Sequence, residues 1–135
     1  MSERVVVGSG GSYEDVYGYS RAVRVGSQVH VAGTCARGDD LDGDTYAQAA
    51  AALRIIAAAL EDAGASTADV VRTVTYVTDI ADADLVARAH REVFADVRPA
   101  ATMVQVTALL DPRMRVEIEA YAITARAVVS ARNRS

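Results

Sequence analysis

Arg98-Pro99-Ala100-Ala101-Thr102-Met103-Val104-Gln105-Val106, followed by Arg115-Val116-Glu117-Ile118-Glu119-Ala120-Tyr121-Ala122, is the stretch whose reading decides the fold. Both halves read as strands, over residues 102–107 and 114–125, because their side chains alternate in polarity with a period of two. In the second, Met114, Val116, Ile118, Ala120 and Ala122 point one way, while Arg115, Glu117, Glu119 and Tyr121 point the other. In the first, Thr102, Val104 and Val106 oppose Met103, Gln105 and Thr107. Asp111-Pro112-Arg113 supplies the connection.

Upstream, residues 5–7 form a short strand, and Gly8-Ser9-Gly10-Gly11-Ser12 reads as a plain loop. That loop lacks the Lys-Ser/Thr ending of a phosphate cradle. Residues 20–25 and 28–33 alternate as strands around a glycine-first hairpin at Gly26-Ser27. Residues 35–43 are polar and turn-rich, an exposed loop. Ala49, Leu53, Ile56, Leu60 and Ala63 then make one apolar stripe of helical period, capped by Asp44 or Thr45 and stopped by Gly64. A turn at 66–69 leads into a β-branched strand over 70–78. A second helix starts at Asp82 or Asp84, carries Leu85, Ala89 and Val93 on one face, and ends near Phe94. The order β-β-β-α-β-α-β-β predicts an α+β fold, one mixed sheet with both helices on one face. The other sheet face is too apolar to be left bare, which predicts oligomerisation.

At 135 residues, 51% apolar, the chain suits one domain over 1–125, with 126–135 as a flexible tail. All fourteen basic residues are arginine, so a lysine Schiff base is excluded. A net charge of −4, scattered arginines and 5% aromatic content argue against a nucleic-acid groove. No apolar run is long enough to cross a bilayer, and the mixed-charge start is unlike a signal peptide. With the single Cys35, this predicts a cytoplasmic protein. His30 and His90 stand alone without metal-ligand spacing, so neither metal nor cofactor is expected.

Three motifs in order resemble the Rid (YjgF-like, reactive intermediate deaminase) family over about residues 13–125. They are Tyr19-Ser20-Arg21-Ala22-Val23 with Val31-Ala32-Gly33-Thr34, then Tyr76-Val77-Thr78-Asp79, then the C-terminal stretch quoted above. The resemblance implies a chorismate-mutase-like fold and a homotrimer whose sheets form a central barrel, with small-molecule pockets between subunits. It implies hydrolysis of imino or enamine acids, with the family's water-positioning glutamate at Glu117 and its pocket tyrosine at Tyr19. The chain departs from the pattern elsewhere: the serine before Gly33 becomes Ala32, and the glutamine after it Thr34. The arginine that holds the substrate carboxylate becomes Ala101, the common cysteine becomes Met103, and an asparagine of the second helix becomes Arg88.

Losing a charged hydrogen bond costs about 1.5–3 kcal/mol, roughly 10–150-fold in transition-state binding. Either another arginine enters the pocket, Arg21 before Arg88 or Arg98, or the substrate is not an α-imino carboxylate. Glu117 and Glu119 share a strand face with Arg115, which suits acid–base work or interface salt bridges. Three readings follow. One is an imine- or enamine-processing enzyme, with Glu117 handling water or protons and Thr102 or Thr34 orienting the substrate. Another is a non-catalytic trimeric metabolite-binding protein. The third, a nucleic-acid role, is disfavoured by the acidity of the chain.

Overall fold

The computed structural model describes residues 3–127. Its elements are β1 (Arg4–Val7), α1 (Tyr13–Tyr17), β2 (Ala22–Val25), β3 (Gln28–Thr34), α2 (Thr45–Asp62), β4 (Val70–Val77), α3 (Ala83–Phe94), β5 (Ala100–Gln105) and β6 (Val116–Ile123). One six-stranded sheet runs in the order β1-β2-β3-β6-β4-β5. It is mixed: β4 and β5 pair parallel through the α3 crossover, and the other pairs are antiparallel. The α+β architecture is the expected one, with a third, five-residue helix, α1, where the sequence reading placed no element.

Alternation sorts the sheet into two faces. Val29, Val31, Val77, Val116, Ile118, Ala120 and Ala122 are buried beneath α2 and α3. Ala49, Leu53, Ile56 and Leu60 supply the α2 side of this core, and each fully buried Leu or Ile contributes about 1.5–3 kcal/mol. The Asp44 carboxylate caps α2 by accepting from the Ala47 N–H, and Gly64, at φ +80°, follows its end. The buried stripe of α3 is Val86, Ala89 and Phe94 rather than Leu85, Ala89 and Val93, and Val93 is exposed. Half-buried His90 extends that stripe: a ring nitrogen lies 2.9 Å from Thr73 Oγ1, and burial lowers its pKa. A polar residue on the buried face therefore displaced the stripe from its apolar reading. The region 35–43 holds a 3-10 turn over Gly38–Asp42 that buries Leu41. The sheet face opposite α2 and α3 exposes, among the described residues, Val6, Val25, Val104 and Ile123.

Arg24 is the largest fully buried side chain, and it pairs with carbonyls rather than a carboxylate. Its Nε donates to Gly26 O, Nη1 to Ala63 O at the end of α2, and Nη2 to Arg126 O. One fork thus ties a hairpin, a helix C-terminus and the chain after β6 together. The expected tail lies mostly in residues 128–135, outside the described ones, while Arg126 is held. Arg24→Met should lower unfolding free energy by about 2–4 kcal/mol in a urea titration, because several buried carbonyls lose their donors. Arg24→Lys should recover little of it, since one ammonium cannot span these acceptors; full recovery would show that charge alone matters.

Candidate functional site

The regular pairing of β3 with β6 breaks between Val31 and Thr34, where the register shifts. Gly33 lies at this irregularity, directly against the Glu117 side chain. A Cβ built on Gly33 would come within 2.7 Å of Glu117 Oε2 and 2.8 Å of its Cδ. Glycine is what lets the carboxylate lie across the strand. From the next turn of chain, the Cys35 thiol donates to Glu117 Oε1 at 3.5 Å. Burial, then the Glu117 charge and hydrogen bond, push the Cys35 thiol up to about 12, so it is a protonated donor and no nucleophile.

Beside this pair runs Arg21, 4% exposed and without a carboxylate hydrogen-bond partner. Nη1 donates to Gly33 O and Thr34 Oγ1, both at 2.8 Å, Nη2 to Tyr19 Oη, and Nε to Ser9 Oγ at 3.3 Å. Glu14 anchors the preceding loop, accepting from the Ser9 N–H and hydroxyl and from the Gly11 N–H. Burial alone would raise its pKa, but those hydrogen bonds and the Arg21 charge outweigh it and hold the carboxyl low.

These groups floor a cleft of about 1000 Å³. One part of its wall is the loop from Gly10 to α1 with Tyr13 and Tyr17; another is the segment bearing Arg37 and Leu41; a third is residues 108–114, with Leu109, Leu110 and Met114. Buried Gln48 fastens two of these parts, its amide nitrogen donating to Leu41 O and Arg113 O while its oxygen accepts from the Arg115 N–H.

The cleft brings together Glu117, Tyr19, Arg21 and Gly33. Thr34 is buried behind it as the acceptor for Arg21, not a lining residue. Thr102 lies on the exposed edge strand and accepts from Arg72 at 3.3 Å. Ala101 and Met103 share that strand on its helix side, Met103 against the core. Arg88 stacks 3.8 Å over the Tyr46 ring on the helix layer. Within one chain, none of these last four borders the cleft. Glu119 departs from Glu117 as well, accepting from Tyr76 Oη at 2.7 Å, a bond that pushes the Tyr76 phenol up to about 12.

Sequence reasoning missed Arg37, Tyr13 and Tyr17. Arg37 donates to Ser9 O at 2.8 Å and lies 3.8 Å from Glu14 Oε2, making it the second guanidinium of the cleft among the described residues. The tyrosine spacing of four was a visible helical signal hidden by the glycines before it. No group of three or more His, Cys, Asp or Glu suited to a metal occurs among the described residues.

The floor therefore offers a carboxylate able to take a proton, a protonated thiol holding it, and a fixed cation alongside. Iodoacetamide at about pH 8 should alkylate Cys35 slower than a free thiol by a factor on the order of 10³. Glu117→Gln removes the negative charge that, after burial, raises the thiol pKa, so alkylation should speed up. A rate equal to that of a free thiol in the native protein would contradict the contact.

The comparisons with known proteins agree on the family. The model described as endoribonuclease L-PSP matches residues 12–124. Rv2704 of Mycobacterium tuberculosis, described as a member of the YjgF/YER057c/UK114 family, is 50% identical; the match covers 90% of this chain and 100% of that one at a TM-score of 0.85. The Streptomyces coelicolor protein SCO2049 is 40% identical over 120 residues, 85% of this chain and 90% of the relative. A RutC family protein of Pyrococcus abyssi is 35% identical over 109 residues, 77% of this chain and 84% of the relative. With the fold, and with a match spanning nearly all the described residues, the chain belongs to the YjgF/Rid family.

Proposed function

We propose that this protein is a cytoplasmic Rid-type enzyme acting on an imine, enamine or related reactive intermediate, and that it works as a homotrimer with its cleft completed by a neighbouring subunit. The observation that carries the reading is the Glu117 carboxylate, fixed at the cleft floor over Gly33 by the Cys35 thiol and flanked by Tyr19 and Arg21. Glu117 takes a proton from water as the oxygen attacks the imine carbon, and hands that proton to the imine nitrogen. The resulting carbinolamine expels ammonia, its hydroxyl proton passes back through Glu117, and a carbonyl compound remains. Isomerisation of an enamine needs only the proton-transfer half of this sequence.

Ala101 separates the proposal from deamination of ordinary 2-imino acids, because alanine offers no clamp for their carboxylate. In the trimer, the edge strand with Ala101, Thr102 and Met103, and Arg88 beyond it, would reach the cleft of the next subunit. The sheet face opposite α2 and α3, with Val6, Val25, Val104 and Ile123 exposed, supports assembly through that face.

A second reading, a non-catalytic trimeric binding protein, is favoured by Arg21. Its guanidinium bonds Ser9, Tyr19, Gly33 and Thr34, so the family-like pocket has a structural cation where a substrate clamp is needed. The endoribonuclease description of the family model raises RNA cleavage, which a net charge of −4 disfavours.

Light scattering should give close to three times the 14.2 kDa of one chain. Imines generated in situ by an amino-acid oxidase should be hydrolysed weakly, and Ala101→Arg should raise that rate. Glu117→Gln should abolish turnover while the trimer and its melting temperature persist. Unchanged turnover with a weakened trimer would make Glu117 an interface residue and remove the catalytic reading.

A further inference from the structure

The mouth of the cleft is built from residues that no chemical step above uses. Tyr13 and Tyr17 project from α1 with rings stacked 5.9 Å apart at 14°. Tyr17 meets Tyr19 edge-on at 6.0 Å and 66°, and Tyr19 lies against Arg21, whose guanidinium carbon is 5.1 Å from the ring centroid. Three rings thus run without a gap from the mouth to the cation at the floor. Leu109, Leu110 and Met114 add aliphatic surface to the same cleft. Tyr17 is 73% exposed and Leu110 74%, so both spend unliganded time in water at a cost that a bound apolar group would relieve.

The helix that carries Tyr13 and Tyr17 is anchored without a ligand. The Glu14 carboxylate, on the same short helix, is bound by Ser9 and Gly11, and Gly18, at φ +83°, ends the helix. Pre-ordering spares a ligand the entropy of assembling the platform.

We propose that the ligand of this cleft carries an aromatic or comparably bulky apolar side chain, received by Tyr13, Tyr17 and Leu110 while its reacting carbon lies at Glu117. This rests on the cleft being the ligand site, but it concerns binding and not turnover.

Calorimetry on the full assembled chain tests it with two pairs of stable carbonyl probes, acetone with benzylacetone and pyruvate with phenylpyruvate. Within at least one pair the phenyl member should bind about tenfold tighter or more. Tyr17→Ala and Leu110→Ala should each bring that ratio close to one while the melting temperature and oligomer mass stay unchanged. Both positions are exposed, so the variants should fold. No phenyl preference in either pair, including binding of none of the four probes, overturns the proposal. A preference that survives both substitutions overturns it too, and a change of oligomer mass beside that survival would assign the residues to a subunit contact. Glu117→Gln should keep the preference. Turnover surviving in that variant, with the preference intact, would remove the catalytic reading alone.

Discussion

The buried guanidinium of Arg21 is the interaction on which the cleft depends. A desolvated cation is costly unless its donors are satisfied, and here a hydroxyl, a phenol, a backbone carbonyl and a threonine oxygen satisfy them. Those acceptors come from the loop after β1, from Tyr19 ahead of β2, and from the end of β3. One side chain therefore joins three segments. It also leaves a positive charge next to the floor, which helps hold Glu14 ionised and opposes the other influences on Cys35. Lysine could not replace it, since a single ammonium lacks the planar fork needed to reach this set.

The floor and the walls of the cleft are held by different devices. Glu117 sits where it does because β3 carries an extra residue against β6 between Val31 and Thr34, and Gly33 leaves room for the carboxylate. Two of the wall segments are tied by Gln48, whose amide bonds four backbone groups: Leu41 O, Gly43 O, Arg113 O and the Arg115 N–H. Buried polar groups of this kind set position more than they add stability. The cleft is thus held at its Glu117 end and pinned at the sides, with its apolar residues exposed at the mouth.

Periodicity made most of the fold legible. The α2 stripe, its Asp44 cap, the β2–β3 hairpin and the alternation of β6 all follow from local pattern, because each element buries one face and hydrophobic spacing records it. In α3 the record was misleading, since His90 takes a buried position through Thr73 and moves the stripe off Leu85 and Val93. The site was legible in part. Glu117, Tyr19, Gly33 and Arg21 came from motif order, and the cleft gathers all four. Arg37, Tyr13 and Tyr17 sit in glycine- and aspartate-rich segments whose composition reads as loop, and only tertiary contacts bring them to the cleft. Thr102, Ala101, Met103 and Arg88 lie away from it in one chain, because motif order records sequence position and not distance to the cleft.

A structure of the assembled protein with benzylacetone bound tests the central claim most directly. The account predicts the probe's carbonyl carbon within about 3–4 Å of a water held by Glu117, with the phenyl group among Tyr13, Tyr17 and Leu110. A probe bound away from Glu117, with that carboxylate instead paired to an arginine of a neighbouring subunit, would contradict it.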